Sequence, residues 1–313
     1  MSRPFDAVIF DLGGVVLGWD PTRAFAEVLP PDQVEAFMTK IDFPTWNSTH
    51  DAGQLFDVGE AELLRRFPDD ERAIRAYRTN FARTLTGTVP GTGAVIAELQ
   101  SAGVGLVALT NWSAETYPHA ERRFGILRRF SGIVVSGTEG VAKPDPAIFL
   151  LACGRFGLDP GRTVFVDDSA ANVAAASAAG LTAVAFVGAE SLRADLVRLG
   201  LLETPQPVTE PVFHLAVAAD WSAGAEYPWS TRGVSYDAEG YVHCSFAGQV
   251  AGVRKRYYAD LADEELQVLE LDLDRARDLL VVEDLGAGEP YPHLYAPLTP
   301  ALVRGVAPYV RQP

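Results

Sequence analysis

The sequence predicts an α/β fold: a mostly parallel, Rossmann-like sheet wrapped by helices, with a smaller α+β domain after it. Three observations carry this. Short apolar runs alternate with amphipathic stretches from Pro4 to about Gly188; the alternation is interrupted once, between Asp20 and about Thr86; and past a proline-rich segment the pattern changes to strand-like runs set between turn residues. A chain of 313 residues with 48% hydrophobic content exceeds one ordinary domain and can bury a substantial core.

The first strand is expected over Phe5–Phe10, and it runs into FDLGGVV, where the acid Asp11 is followed closely by Gly13 and Gly14. From Asp20 helical signals dominate, with Asp20 as N-cap and Pro21 at the first helical position. A helical insertion here sits over the carboxyl end of the first strand, where it can serve as a lid. The pattern then gives a helix over Gly91–Ala102, strands over Gly105–Thr110 and Ile133–Val135, a helix over Pro146–Phe156, and strands over Thr163–Val166 and Thr182–Phe186. Four strands end in Asp11, Thr110, Ser136 and Asp167, and in open α/β sheets ligands bind at that carboxyl edge. The segment ETPQPVTEP, Glu203–Pro211, reads as a linker, and Val212–Ala218 and Gln267–Leu273 as strands beyond it. The expected layout is a first domain of residues 1–202 (core 1–18 and 87–202, cap 19–86), a linker 203–211 and a second domain 212–313.

Lys and Arg total 26 against 41 Asp and Glu, a formal charge of −15, and no long basic run is present, which argues against nucleic acid as a partner. Cys153 and Cys244 fit no CxxC or zinc-finger spacing and read as reduced thiols. The apolar run before Asp11 is too short for a signal peptide or a membrane span, so the expectation is a soluble cytoplasmic protein. Oligomeric state has no signature in the sequence.

Asp11, Thr110-Asn111, Lys143 in VAKPDPAIF and Asp167-Asp168 in VFVDD resemble, in order and spacing, the four motifs of the haloacid dehalogenase (HAD) superfamily, with a helical insertion in the position used by its C1-capped members. The resemblance implies a Mg²⁺-dependent phosphatase. Asp11 would attack phosphorus and form an aspartyl-phosphate; Asp11, the Gly13 carbonyl and Asp168 would hold the metal; Lys143, Thr110 and Asn111 would bind the phosphate; Asp167 and Asn172 would orient them. A phosphate dianion repels a carboxylate nucleophile, so attack needs positive charge to offset both. Asn172, four residues after Asp168, is expected on the same helix face.

Most HAD phosphatases carry an acid two positions after the nucleophile, to protonate the leaving oxygen; here that position is Gly13. Three ways round are open: a leaving group that needs little protonation, such as a sugar or nucleotide-sugar anomeric phosphate or an acyl phosphate; an acid lent by the cap, His50 or Asp51; or slow or lost catalysis, leaving a binding protein. A dehalogenase also manages without that acid. The paired acids Asp167-Asp168, however, repel one another beside a third unless a cation sits among them, which favours a metal-dependent phosphatase.

VFHLAVAADW, GYVHCSFAGQV and GEPYPHLYAPL in the second domain resemble a bacterial family called domain of unknown function 952, grouped with the ADP-ribosyltransferase-like fold. By that resemblance the second domain binds NAD or ADP-ribose and is itself an alternative seat of activity. His214 would hold the nicotinamide ribose, Glu270 and Glu289 compete as the acid, and His243, Ser245 and His293 are further ligand candidates. His214, His243, His293 and Cys244 as a zinc set match no standard spacing. Tyr257 and Tyr258 beside Arg254, Lys255 and Arg256 make a small basic aromatic patch or a solvated helix face.

Overall fold

A computed structural model describes residues 3–204, 207–222 and 224–311. It divides into two compact units, one of residues 1–89, 104–123 and 127–201, the other of 90–103, 124–126 and 202–313. Pro205 and Gln206, within the expected linker, lie outside the described residues.

The first unit opens with β1 (Ala7–Phe10). A short antiparallel ladder, β2 (Leu17–Trp19) with β3 (Leu85–Thr88), brackets the insertion, and β4 (Gly105–Thr110), β5 (Ile133–Val135), β6 (Thr163–Asp167) and β7 (Thr182–Ala185) follow. The parallel sheet has the order β5-β4-β1-β6-β7, so β1 is central. Its side chains are buried on both faces, which is why these strands read as unbroken apolar runs. Phe10 pairs with Ala108 of β4 and Val166 of β6, and this register sets Asp11 and Asp167 side by side at the carboxyl edge.

The insertion is helical, as expected. Asp20 caps a 3₁₀ turn over Pro21–Ala24 by accepting from the Thr22 N–H, and α1 (Pro31–Lys40), α2 (Phe43–Asp51), α3 (Phe56–Arg66) and α4 (Glu71–Thr79) follow. Phe25, Phe43, Trp46, Phe56 and Tyr77 pack edge-to-face and stacked inside this cap. The β2/β3 ladder corrects the strand-free reading of the cap boundary. It closes the base of the insertion through the Gly18–Gly87 pair, where an added Cβ on Gly18 would come 2.2 Å from the Thr86 hydroxyl.

Helix α5 (Thr92–Ser101), assigned to the first domain on sequence, groups with the second unit, where Ala94 and Ala97 pack with Tyr241, Val281 and Tyr295. The first unit continues with α6 (Tyr117–Arg123), α7 (Ser136–Glu139), α8 (Pro146–Phe156), α9 (Ala170–Ala178) and α10 (Ala189–Arg198).

The second unit is α+β. Its strands are β8 (Val212–Val217), β9 (Trp229–Thr231), β10 (Val234–Ser235), β11 (Val242–His243), β12 (Ser245–Phe246), β13 (Leu266–Leu271), β14 (Leu280–Glu283), β15 (Tyr291–Leu294) and β16 (Val303–Pro308). They form antiparallel sheets of order β12-β8-β13-β16 and β11-β15-β14 and a β10-β9 pair, joined by α11 (Tyr236–Glu239) and α12 (Val250–Tyr257). Both cysteines are buried and unpaired. Among the described residues no helix is long and apolar enough to cross a membrane.

Candidate active site

Asp11 leaves the central strand with its two oxygens in different states. Oδ1 accepts the Leu12 N–H at 2.7 Å and lies 2.9 Å from the Lys143 ammonium. Oδ2 has no partner among the described residues. Lys143 is sealed from solvent, and its three donors are spent on Asp11, on Asp167 Oδ2 at 2.6 Å and on the Leu109 carbonyl at 3.0 Å. Asp167 is fully buried. It also accepts the Ser169 N–H at 2.8 Å and the Asn172 amide at 3.0 and 3.1 Å. Asp167 and Asn172 are thus tied to each other. The shared-face expectation for Asn172 and Asp168 is corrected: Asp168 precedes α9, and Asn172 turns its amide to Asp167.

Asn111 does something the sequence did not suggest. Its amide donates to the Lys143 carbonyl and its oxygen accepts the Lys143 N–H, both at 2.8 Å, so the side chain clamps the lysine's backbone. Thr110 is buried at the end of β4, one residue away.

Asp11, Asp167 and Asp168 offer carboxylate oxygens that all lie within 4.8 Å of one another, and among the described residues no other group of His, Cys, Asp or Glu comes together in this way. Three carboxylates face one ammonium. Burial, reinforced by Asp167, pushes Asp11 up to about 7 against the pull of Lys143, and burial likewise raises Asp168. A cluster that resists full ionisation and offers only oxygen donors fits a hard divalent cation such as Mg²⁺.

The glycine pair in FDLGGVV now has a physical account. Gly14 has φ +75°, and a Cβ there would lie 2.3 Å from an Asp168 carboxylate oxygen, so this residue must be glycine for Asp168 to approach. A Cβ on Gly13, by contrast, would meet nothing within 4 Å. Gly13 lines a cavity of about 90 Å³ with Asp51, Asn47 and Ser113 and the rings of Trp19, Tyr77, Phe81 and Trp112. Asp51, at the end of α2, accepts the Asn47 amide at 3.0 Å; burial, then the nearby Asp11, pushes it up to about 7. Its backbone carbonyl is held by the Ser136 hydroxyl, which also accepts the Trp112 N–H at 2.9 Å. His50 belongs to the cap core: it stacks on Phe56 at 4.0 Å, meets Trp46 edge-on at 4.6 Å and bonds the Gln54 carbonyl through Nδ1 at 2.9 Å.

In the second unit His243, Glu289 and His293 line one cavity of about 440 Å³; His214, Ser245 and Glu270 are not part of its lining. His214 Nδ1 lies 2.7 Å from the His243 carbonyl, its ring packs on Tyr227, and burial pushes it down to about 4. His214 is buried, and its Nε2 has no hydrogen-bond partner among the described residues. Ser245 is buried opposite Phe213, and Glu270 pairs with Arg304 at 2.6 Å. The histidines and Cys244 form no zinc set among the described residues. The basic aromatic patch splits, since Arg254 is buried against Asp263 at 2.9 Å and Tyr258 donates to the Leu215 carbonyl at 2.8 Å.

A pH effect follows for this unit. Burial, with His293 next, also pushes His243 down to about 4. Between the ordinary value of 6.5 and about 4 the unfolded chain binds more protons than the folded one, so stability is lost as pH falls through that window. His214 alone contributes on the order of 3 kcal/mol by pH 4. Thermal melts at pH 7 and 4.5 are expected to show a lower midpoint for this unit in acid, and a flat midpoint contradicts the assignment.

Comparison with known proteins agrees with this geometry. The sequence pattern of haloacid dehalogenase-like hydrolases matches residues 5–180, and that of a protein of unknown function (DUF952) matches residues 215–306. A phosphoglycolate phosphatase of Nitrosospira multiformis is 31% identical over 56% of this chain and 81% of that protein. A beta-phosphoglucomutase of Bacillus subtilis is 32% identical over 61% of this chain and 88% of that protein. A sesquiterpene phosphatase of Aspergillus oryzae is 26% identical, covering 58% and 89%. The crystal structure of a HAD family enzyme from Bacteroides thetaiotaomicron shares the fold at a TM-score of 0.51 and 18% identity, over 63% of this chain and 99% of that one. With strand order, acidic cluster and sequence pattern in agreement, the chain belongs to the haloacid dehalogenase-like hydrolases.

Proposed function

We propose that the first unit is a Mg²⁺-dependent phosphatase of small phosphorylated metabolites, acting through an aspartyl-phosphate on Asp11. The observation that carries this is the asymmetry of Asp11: one oxygen is tied to Leu12 and Lys143, and the other is free. The phosphatase relatives support the reaction class. Asp11, the Gly13 carbonyl and Asp168 would hold Mg²⁺, which when bound supplies positive charge beside the phosphate dianion. Asp11 Oδ2 attacks phosphorus as the bond to the leaving oxygen breaks, and Lys143 neutralises the charge gathered between nucleophile and phosphate. Water then attacks the acyl phosphate, which releases phosphate and restores Asp11. The buried Thr110 hydroxyl holds the transferring group, and Asn111 keeps Lys143 in place.

In this reading Asp51 replaces the acid missing at Gly13. It shares the cavity with Gly13, gives its proton to the leaving oxygen and takes one back from water. The aromatic walls and small volume suit a compact leaving group, and a sugar anomeric phosphate, which also demands little protonation, satisfies both. NAD or ADP-ribose is not assigned to the second unit: His214, the residue expected to hold the ribose, is buried and does not line the cavity there.

Asp51→Asn is expected to slow hydrolysis of an alkyl phosphate such as glycerol 2-phosphate by about 10²-fold. The burst of nitrophenol from p-nitrophenyl phosphate, whose leaving group needs no proton, should be nearly unchanged. Gly13→Asp, for which the backbone has room, should restore turnover of the alkyl phosphate in the Asp51→Asn chain. Equal loss on both substrates, with no restoration, contradicts the role of Asp51.

A further inference from the structure

A cavity of about 440 Å³ in the second unit serves no step of the phosphatase chemistry. Its volume lies among pockets that enclose drug-sized molecules, roughly 300–1,000 Å³. Its lining carries one arginine, Arg256, and two carboxylates, Glu239 and Glu289, which accept from the Tyr241 and Tyr291 hydroxyls. Arg256 and Tyr257, in the last turn of α12, are both exposed, and Arg256 has no acidic partner among the described residues. Leu285, 48% exposed, lines the same cavity, as does Tyr257, 45% exposed; two large apolar side chains bordering one opening form a surface that gains by being covered. The inner wall carries His243 and His293, with ring centroids 5.1 Å apart. His293 is 2% exposed, and its Nδ1, 3.4 Å from Oε1 of the buried Glu283, has no hydrogen-bond partner among the described residues.

We propose that this cavity is a second ligand site, for an organic molecule with a flat ring and one anionic group. The ring covers Tyr257 and Leu285, the anion meets Arg256, and a polar group of the ligand hydrogen-bonds His293, whose Nδ1 is unpartnered among the described residues. A lone inorganic anion leaves both apolar side chains exposed and the histidines unmatched, and a ligand with several anionic groups finds a single uncommitted cation beside Glu239 and Glu289. A nucleoside monophosphate and an aromatic carboxylate both carry this chemistry.

The test is isothermal titration of the full chain carrying Asp11→Asn, with Mg²⁺ and saturating inorganic phosphate present to occupy the first unit's site. AMP, GMP, CMP and UMP form one arm, benzoate and nicotinate the other. One arm is expected to give 1:1 binding with Kd on the order of 1 mM or tighter. Arg256→Gln should weaken it by about 10-fold or more, as should Tyr257→Ala; both side chains are exposed, so the fold is retained. Absence of binding in both arms overturns the proposal, as does binding that neither substitution weakens. Because Asp11 is already disabled, either result is independent of the phosphatase reading.

Discussion

Asp11→Asn is expected to reduce phosphatase kcat by on the order of 10⁴–10⁶-fold, the loss typical when a covalent nucleophile is removed. The substitution is nearly isosteric, and the amide oxygen can still accept from Leu12, so the folded chain should survive. What disappears is the free carboxylate oxygen. The variant also removes one buried negative charge beside Asp167 and Asp168, so its metal-free form should be at least as stable as the native chain. Loss of activity with retained stability separates a chemical role from a structural one. Turnover within about tenfold of the native rate would show that another group attacks phosphorus.

Lys143→Met is expected to damage both stability and chemistry. The ammonium has no access to solvent and lies between Asp11 at 2.9 Å and Asp167 at 2.6 Å; removing it leaves two buried carboxylates facing each other. Breaking a buried ion pair from one side typically costs about 3–5 kcal/mol, which in a unit of this size lowers the melting midpoint by roughly 10 °C. Mg²⁺ should restore part of that loss, because the cation binds only the folded cluster. Activity at saturating Mg²⁺ should still fall by about 10²-fold or more, since the fixed charge beside the phosphate is gone. Equal melting of both proteins in a chelator would mean that Lys143 does not hold the cluster together.

These effects could be foreseen because the motifs are local. Asp11, Thr110 and Asp167 each follow an apolar run, and a parallel strand buried on both faces leaves few residue types free to vary except at its end. The strands over Gly105–Thr110 and Ile133–Val135 and the helix over Pro146–Phe156 were legible for the same reason. What escaped depends on partners distant in sequence. The β2/β3 ladder joins segments on either side of the whole cap through paired glycines, and neither segment reads as a strand alone. Asn111 looks like a phosphate ligand until Lys143, 32 positions on, is found occupying both ends of its amide. His214 has the residue type of a ligand group, but its place on β8 turns it into the core against Tyr227. Helix α5 carries alanines whose neighbours, Tyr241, Val281 and Tyr295, lie far along the chain. The second glycine in FDLGGVV was legible as a turn; that it makes room for Asp168 was not.

The claim on which the account rests is that phosphate passes through Asp11. The chain incubated with acetyl phosphate and Mg²⁺, quenched in acid, digested and read by mass spectrometry should carry one phosphoryl group on the peptide containing Asp11. Chelating the metal or substituting Asp11→Asn should abolish it. A phosphoryl group on a different peptide, or steady turnover with no trapped intermediate under any quench, would contradict the account.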